Sequence, residues 1–201
     1  DGTDTFAVAP LLCAGITVYP PLMDFAAPGS DVGIVGLGGL GHVAVRIAKA
    51  MGCRVTVFSH SPGKEDDARR LGADEFVVTT DAKALRPLAR SLDMILSTVS
   101  TWIDVDAYLR VLRGKGTLAL VGLPVDDLSF NAGTLISGER RIAGAMLAGI
   151  ERTQEMLDFC AKHGIVADVE VIDIAGINEA WQRVKDSHVR YRFVIDMSTL
   201  V

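Results

Sequence analysis

The chain has 201 residues, 49% of them hydrophobic, and a formal net charge of −5. This length and composition allow one domain with a sizeable buried core and exclude a disordered chain. The acidic balance provides no basic field for nucleic acid or for an anionic membrane, so we expect neither as a partner. The three cysteines, Cys13, Cys53 and Cys160, include no C-x-x-C pair. This favours a reduced, cytoplasmic protein with neither a disulfide framework nor a self-contained structural zinc site.

The N-terminal segment is apolar from residue 11 to 19 and predicts a buried helix bounded by prolines. On this segment alone, Cys13 would be a core thiol. Uncharged sequence continues to Met23, but three prolines interrupt it and no basic region precedes it, which favours soluble structure over a membrane span. The chain begins with Asp1 rather than methionine. We interpret this start as the sign of a processed or truncated product.

A glycine-rich turn follows the first predicted strand, residues 32–35. Gly36-Leu37-Gly38-Gly39-Leu40-Gly41 satisfies the G-x-G-x-x-G spacing and opens a helical stretch that runs to residue 51. The three glycines of this motif permit a tight turn, a close approach of a pyrophosphate and close helix packing, in that order. The free N–H groups at the helix start hold the pyrophosphate. The segment predicts a dinucleotide site, with a purely structural turn as the alternative.

The end of the second predicted strand, residues 54–58, indicates which dinucleotide binds. An NAD site usually places Asp or Glu there to accept from the ribose 2′-hydroxyl. This chain instead has Ser59-His60-Ser61, followed closely by Lys64. Two hydroxyls and an ammonium suit a 2′-phosphate, which a carboxylate would repel. We predict NADP(H), with ordinary loop residues as the alternative. His42, just after the glycines, is expected to be packed or solvated rather than bound to the cofactor.

Predicted strands and helices alternate through the rest of the chain. The alternation predicts an α/β fold, a Rossmann-type doubly wound parallel sheet with helices on both faces. Ligands bind such sheets at the carboxyl edge, which makes Ser97-Thr98-Val99, Val121-Gly122-Leu123 and Ala145-Met146-Leu147 candidate site segments. The predicted strands are 75–78, 93–98, 117–121, 141–146, 169–174 and 192–197, and the predicted helices are 64–71, 81–92, 103–112 (closed by Gly114), 153–162 and 178–185.

Four spaced motifs resemble a known family of enzymes. They are Leu11–Tyr19, Gly33–His42, Leu71–Asp74 and Val189–Val194. The chain resembles the zinc-dependent alcohol dehydrogenases, most of all the cinnamyl alcohol dehydrogenase branch of the medium-chain dehydrogenase/reductase superfamily. This resemblance implies a reversible, NADP-dependent oxidation of a primary alcohol, often aromatic or allylic, to an aldehyde. It also implies a catalytic zinc that acts as Lewis acid.

The resemblance also implies roles for individual residues. Cys13 matches a catalytic zinc ligand, and Thr17 matches a threonine that touches the nicotinamide. Arg190 matches an arginine near the cofactor phosphates, whereas His60 stands where relatives have serine. The remaining positions matched to cofactor contacts are Thr98, Gly122 and Ala145-Met146-Leu147, together with Ser59, Ser61 and Lys64.

Members of that family carry an N-terminal, mostly β domain that supplies the other zinc ligands, and a catalytic zinc needs about three protein ligands. Cys13 is the one clear candidate here. We expect residues 1–150 to form the NADP-binding domain. Residues 151–201 would be a remnant that returns to the other domain, poorly ordered or packed differently in its absence. We also expect weak NADP(H) binding and no alcohol oxidation by this chain alone, and a homodimer joined through the edge strand within Arg140–Met146.

Two other functions remain open at this point. One is a stand-alone, non-catalytic module for NADP binding or dimerisation. The other is a zinc-independent quinone or enoyl reductase of the same superfamily, which the family-like context of Cys13 disfavours.

Overall fold

The computed structural model describes residues 4–186 and 188–200. Its strands are β1 (Asp31–Val35), β2 (Arg54–Ser59), β3 (Glu75–Val78), β4 (Leu92–Ser97), β5 (Leu112–Leu120), β6 (Arg141–Gly144), β7 (Val169–Asp173) and β8 (Arg192–Asp196). The first six form one sheet in the order β3-β2-β1-β4-β5-β6, and every neighbouring pair is parallel. The chain proceeds from β1 to β2 on one side and returns to β4 on the other. This is the doubly wound arrangement that the sequence predicted.

Helices cover both faces of this sheet. They are α1 (Thr5–Val8), α2 (Ala14–Phe25), α3 (Gly41–Ala50), α4 (Glu65–Arg70), α5 (Val105–Val111), α6 (Ala132–Ile136), α7 (Ile150–His163) and α8 (Ile177–Lys185), with 3-10 segments at Ala9–Leu12, Pro62–Lys64, Ala82–Leu88, Ile174–Gly176 and Met197–Thr199. Val32 and Ile34 of β1 belong to one hydrophobic cluster, with residues of α2, α3 and α7, and Val35 belongs to another with residues of α5. Because both faces are covered, the inner strands are nearly continuous apolar runs.

The helix α2 runs through Pro20 and Pro21, where the sequence predicted an end. Proline in a helix interior removes a backbone hydrogen bond and normally breaks the helix. Here all residues from Ala14 to Leu22 are buried, because α2 packs against α3, α7 and the sheet. Tertiary burial therefore outweighs the local cost. In the part of the chain that the structure describes, no single helix meets the length and hydropathy needed to cross a membrane; Thr5–Leu12 and Ala14–Phe25 do so only when counted together across a 58° bend.

The boundary between α5 and β5 also differs from the prediction. β5 begins at Leu112, directly after α5, whereas the sequence predicted a helix that Gly114 would close. The pairing with β4 shifts register between Leu92 and Met94, and Lys115 has φ of +66°. The residues expected to cap the helix thus form the irregular start of β5, with a register shift and a left-handed Lys115. The predicted helix over residues 81–92 is a 3-10 segment that contains Pro87.

The C-terminal strands β7 and β8 form a separate two-stranded parallel sheet, with α8 as their connection. This segment packs on the main body through Tyr191, which is buried in the cluster formed by α2, α3 and α7. Met156 and Cys160 of α7 lie in the same cluster. The division of the chain at residue 150 stays a prediction.

Candidate cofactor-binding site

The glycine turn, Gly36–Gly41, joins the carboxyl end of β1 to α3. Gly36 has φ of +91°, a left-handed conformation that residues with a side chain rarely adopt. A Cβ on Gly41 would lie 2.0 Å from the Gly36 carbonyl oxygen, so the start of α3 approaches the turn more closely than a side chain allows. The fold itself therefore requires these two glycines.

Gly38 differs, because nothing in the described chain requires glycine there. No heavy atom lies within 4 Å of a Cβ built on Gly38, and its φ lies outside the left-handed region. The open space belongs to the cleft beside the turn, which Gly38 lines. In this motif the second glycine is the one that lets a pyrophosphate approach the backbone. The space at Gly38 thus fits a bound dinucleotide.

The cleft has a volume of about 280 Å³ and lies at the carboxyl ends of β1, β2 and β4. These ends flank the point where the strand order reverses, which is where doubly wound sheets bind ligands. The residues that line it include one lysine and no carboxylate, so the cleft suits an anion. They are Val35, Gly36, Leu37, Gly38, Gly39, Leu40, Phe58, Ser59, His60, Ser61, Lys64, Thr79, Thr98, Val99, Thr101 and Ile103.

The four polar residues predicted to select NADP lie together where β2 ends. Ser59 Oγ accepts a 3.1 Å hydrogen bond from the Ser61 backbone N–H, which leaves its own hydroxyl proton available for a ligand. Lys64 Nζ donates to the Leu37 carbonyl oxygen at 2.8 Å, which places the ammonium beside the glycine turn. Burial lowers the pKa of Lys64. Ser61 and His60 are exposed at the same end of the cleft.

The other predicted segments follow the neighbouring strands along the same edge. Thr98, after β4, lines the cleft. Gly122, after β5, approaches the cleft wall so closely that a Cβ on it would lie 2.0 Å from the Val99 carbonyl oxygen. Met146, after the edge strand β6, is 82% exposed. The described lining of the cleft does not include Val121, Gly122, Leu123, Ala145, Met146 or Leu147, whose cofactor contacts stay predictions.

Two arginines of the C-terminal segment lie near the turn. Arg192 Nε donates to the Gly39 carbonyl oxygen at 3.3 Å. Arg190 Nε is instead ion-paired with Asp67 at 2.7 Å. The phosphate contact that the resemblance implies for Arg190 stays a prediction, and the contact of Arg192 with the turn was not predicted. The signal was available, because Arg192 is the first residue of a predicted strand and lies two positions after Arg190.

His42 is fully buried in the first turn of α3 and joins the glycine turn to the C-terminal segment. Its Nδ1 lies 3.0 Å from the Gly38 carbonyl oxygen, and its Nε2 accepts a 3.2 Å hydrogen bond from the Asp168 backbone N–H. These partners require the neutral tautomer with the proton on Nδ1. Burial lowers the pKa of His42 to about 4. The ring stacks on Tyr191 with centroids 4.8 Å apart, so this histidine is packed, as expected.

Asp168 holds the same junction through its other atoms. Its carboxylate pairs with Arg46 at 2.5 Å and with Arg70 at 2.7 Å. Its carbonyl oxygen accepts a 3.1 Å hydrogen bond from the Tyr191 N–H. The start of β7 is therefore tied to both α3 and α4. This is the packing that the C-terminal segment adopts within the described chain.

Cys13 lies between the 3-10 segment Ala9–Leu12 and α2, and its side chain is exposed. The apolar segment alone suggested a core thiol, but Cys13 precedes the helix with φ of −120° and does not share its buried face. The zinc-ligand role that the resemblance implies stays a prediction. Thr17 Oγ1 donates to the Cys13 carbonyl oxygen at 2.7 Å, and its nicotinamide contact stays a prediction. Residues 4–186 and 188–200 contain no group of three or more His, Cys, Asp or Glu that could hold a metal. They do not form a complete zinc site, which needs about three protein ligands.

Comparison with known protein families shows the family to which the glycine turn and the sheet around it belong. The family model described as "Zinc-binding dehydrogenase" matches residues 39–162, more than half of the chain. The chain belongs to the zinc-binding dehydrogenase family. The matched region includes the turn from Gly39 onward, Lys64 and Thr98.

Individual members of the zinc-binding dehydrogenase family confirm the predicted fold and branch. The chain is 51% identical over 195 residues to NADP-dependent alcohol dehydrogenase C 1 of Mycolicibacterium smegmatis, covering 96% of this chain and 56% of that protein. The structure of cinnamyl alcohol dehydrogenase SbCAD4 from Sorghum bicolor matches with a TM-score of 0.94 and 45% identity, over 97% of this chain and 56% of that one. The structure of the CAD from Helicobacter pylori complexed with NADP(H) matches with a TM-score of 0.86 and 40% identity, over 96% of this chain and 55% of that one. The chain thus spans little more than half the length of these relatives.

Proposed function

We propose that this chain is the cofactor-binding part of an NADP-dependent alcohol dehydrogenase that interconverts primary alcohols and aldehydes. The observation that carries the proposal is the open space at Gly38, at the sheet edge where doubly wound folds bind dinucleotides. The relatives support it, because one is named an NADP-dependent alcohol dehydrogenase and another was solved with NADP(H). Aromatic and allylic alcohols are the proposed substrate class, and SbCAD4 is named for cinnamyl alcohol.

The residues of the turn would hold the pyrophosphate of the cofactor. The start of α3 attracts an anion through its helix dipole, although the His42 N–H already donates to the Gly38 carbonyl oxygen at 3.1 Å. Arg192, with its Nε at the Gly39 carbonyl oxygen, adds a cation beside the same turn. His42, bound to the Gly38 carbonyl oxygen, fixes the turn from behind. The bound NADP would accept the hydride of the alcohol.

The end of β2 would select NADP over NAD. The 2′-phosphate would meet Ser59, Ser61 and Lys64, whose hydroxyl and ammonium groups donate hydrogen bonds to phosphate oxygens. No carboxylate lines the described cleft, so the ribose diol lacks the partner that an NAD site provides. His60 would lie at the mouth of this pocket.

Cys13 would be one ligand of the catalytic zinc in the complete enzyme. Its thiol is exposed at the start of α2, where a second part of the protein has access to it. The other ligands would come from outside these residues, which fits relatives nearly twice as long. The isolated chain would have no alcohol oxidation activity.

The proposed assembly is a cytoplasmic homodimer joined through β6. This strand is at the edge of the sheet, where unpaired backbone groups favour pairing with a second copy. Exposed apolar side chains accompany it, among them Ile150, which is 88% exposed, and Met146. Light scattering should give the mass of two chains, and a monomer would count against this arrangement.

A titration with NADPH and NADH, followed by fluorescence, tests the cofactor assignment. We expect NADPH to bind about tenfold more tightly or better, since charge-assisted hydrogen bonds hold the 2′-phosphate. Lys64→Gln should remove most of that preference while NADH binding changes little. Equal affinities for the two cofactors in the unaltered protein would contradict the assignment.

A further inference from the structure

Three arginines converge at the edge of the sheet opposite the cofactor cleft. Arg90 precedes β4, Arg140 precedes β6, and Arg110 lies in the last turn of α5. Together with Asn131, Thr134 and Ser137 they line a groove of about 500 Å³, completed by Ala89 and Gly133. We refer to it as the arginine groove. Every charged residue in this lining is positive.

Arg140 is held rigidly in this groove. Its Nε donates to the Leu112 carbonyl oxygen at 3.0 Å, and its Nη1 donates to the Thr134 carbonyl oxygen at 2.9 Å. Neither partner neutralises the charge. Burial, and then the positive charge of Arg90, lower the pKa of Arg140. The two guanidinium groups are therefore close enough to repel each other.

Arg90 has an unfavourable backbone conformation in addition to this repulsion. Its φ is +57°, in the left-handed region that residues other than glycine rarely adopt. Its N–H donates to the Arg110 carbonyl oxygen at 3.0 Å, which joins the two sides of the groove. Strained residues of this kind cluster at ligand sites. A glycine at this position would keep the backbone without strain, yet the chain has arginine.

Direct ion pairs do not compensate these charges within the described ranges. Neither Arg90, Arg110 nor Arg140 forms an ion pair within 4.0 Å among residues 4–186 and 188–200, although most other arginines there do. Asp106 lies one turn before Arg110 on α5, and its Oδ2 accepts a 2.9 Å hydrogen bond from the Asn131 N–H. A hydrogen bond with the Thr134 side chain, and to a lesser extent the charge of Arg110, lower the pKa of Asp106. Arg110 thus shares the charge of Asp106, whereas Arg90 and Arg140 have no carboxylate partner among the described residues. In a chain with a net charge of −5, this excess of positive charge at one groove leaves an anion as the missing partner.

We propose that the arginine groove binds a phosphate-bearing small molecule, at a site separate from the cofactor cleft and beyond the proposed dehydrogenase function. Guanidinium groups match phosphate oxygens in geometry and charge. The side-chain N–H groups of Asn131 can donate further hydrogen bonds to an ester or pyrophosphate oxygen, whereas the Ser137 hydroxyl already donates to the Thr134 carbonyl oxygen at 3.4 Å. The volume of the groove exceeds that of a single phosphate, so the ligand class is a small phosphate ester or diphosphate.

Inorganic pyrophosphate is the probe for calorimetric titration of the purified protein. Arg90→Gly removes one guanidinium and relieves the left-handed backbone, so the variant should be at least as stable as the parent. We expect it to bind pyrophosphate in the groove about tenfold more weakly or worse. Arg110→Gln, which leaves the backbone of α5 intact, should have a similar effect.

Lys115→Gly is the matched control for charge and backbone. Lys115 also has a positive φ and an exposed ammonium, but it does not line the groove. This variant should bind pyrophosphate as the parent does. Gly38→Ala, which fills the space proposed for the cofactor pyrophosphate, controls for pyrophosphate in the cofactor cleft and should leave groove binding intact.

Amide chemical shifts locate the bound probe. Pyrophosphate should perturb the amides of Gly133, Ser137 and Arg140. Unchanged affinity in Arg90→Gly and Arg110→Gln would overturn the proposal. So would loss of all pyrophosphate binding in Gly38→Ala, because the probe would then occupy the cofactor cleft. The proposal would also be overturned if pyrophosphate did not bind in the groove and the arginine variants dissociated a dimer. In that case these arginines would pair with carboxylates of a second protein chain.

Discussion

The glycine turn and Cys13 are the two places where chemistry was expected, and they differ in what a single stretch of chain can complete. The turn binds through backbone N–H groups and the shape of Gly36–Gly41, all of which come from one strand and one helix. Cys13 offers one side chain, and the described residues place it in no group of three or more His, Cys, Asp or Glu that could hold a metal. A dinucleotide site is therefore largely local in sequence, whereas a catalytic zinc site collects ligands from several elements.

The two sites also differ in how they depend on packing. The turn is held by the close approach of Gly41 to the Gly36 carbonyl oxygen. It is also held by His42, which bonds the Gly38 carbonyl oxygen and the Asp168 N–H. Cys13 is exposed, and its backbone bonds only to the adjoining turns, at Pro10 and Thr17, within the described residues. Changes at the turn should therefore alter stability or binding sharply, and changes at Cys13 should alter neither in this chain.

The largest effect is expected at Gly41. Gly41→Ala places a Cβ 2.0 Å from the Gly36 carbonyl oxygen, so the turn and α3 must separate. We expect the free energy of unfolding to fall by about 3 kcal/mol, typical of severe overpacking. Urea unfolding followed by circular dichroism measures this change. A loss below about 1 kcal/mol would show that the turn adapts easily, and the distinction from Cys13 would be weakened.

A smaller effect follows from the buried state of His42. Burial lowers the pKa of His42 from 6.5, its ordinary value in the unfolded chain, to about 4 in the folded protein. Between these two pH values the unfolded chain therefore binds a proton that the folded chain does not. Stability is therefore full above pH 6.5 and falls as the pH is lowered toward 4. A shift of this size corresponds to roughly 3.4 kcal/mol over all pH values, of which about 2 kcal/mol is lost between pH 7 and pH 4.5. Unfolding free energies measured from pH 7 to pH 4.5 follow the loss.

The matched variant for this test is His42→Gln, which cannot take up the proton. It should unfold more easily at pH 7, and its stability should depend less on pH between 6.5 and 4.5 than that of the parent. His163→Gln removes a histidine from the exposed end of α7 and controls for the loss of the residue type. If His42→Gln and the parent lost stability in parallel, the pH dependence would have another origin.

The smallest effect is expected at Cys13. Cys13→Ser changes an exposed side chain, so the unfolding free energy should move by less than about 0.5 kcal/mol. Titration of the 201-residue chain with zinc should show no tight binding, with or without the thiol. Tight, stoichiometric zinc binding that Cys13→Ser abolishes would mean that this chain completes a metal site after all.

The fold was predictable wherever local pattern and tertiary context agree. The strand, turn and helix around Gly36–Gly41 follow the sequence closely, since the spacing of glycines and apolar residues specifies both backbone and packing there. The six-stranded sheet followed from the alternation of strands with helices. Failures arose where long-range burial overrides local preference, as in α2, which continues through Pro20 and Pro21 because the whole segment is enclosed.

The site was predictable for its backbone and less so for its side chains. The polar residues after β2 were found because their chain position fixes them at the sheet edge. Arg192 was missed, because its contact with Gly39 depends on how a segment about 150 residues later packs against the turn. The hydrogen bond between His42 and the Asp168 N–H depends in the same way on the packing of that distant segment. Contacts of this kind are set by tertiary structure, and no local spacing encodes them.

The central claim is that the space at Gly38 is reserved for a dinucleotide, and NADPH titration of Gly38→Ala tests it most directly. Gly149→Ala is the control, since its Cβ also meets no atom within 4 Å but lies outside the cleft. The expected result is NADPH binding weakened about tenfold or more in Gly38→Ala, with unchanged stability, and parental affinity in Gly149→Ala. Parental affinity for NADPH in Gly38→Ala would contradict the claim.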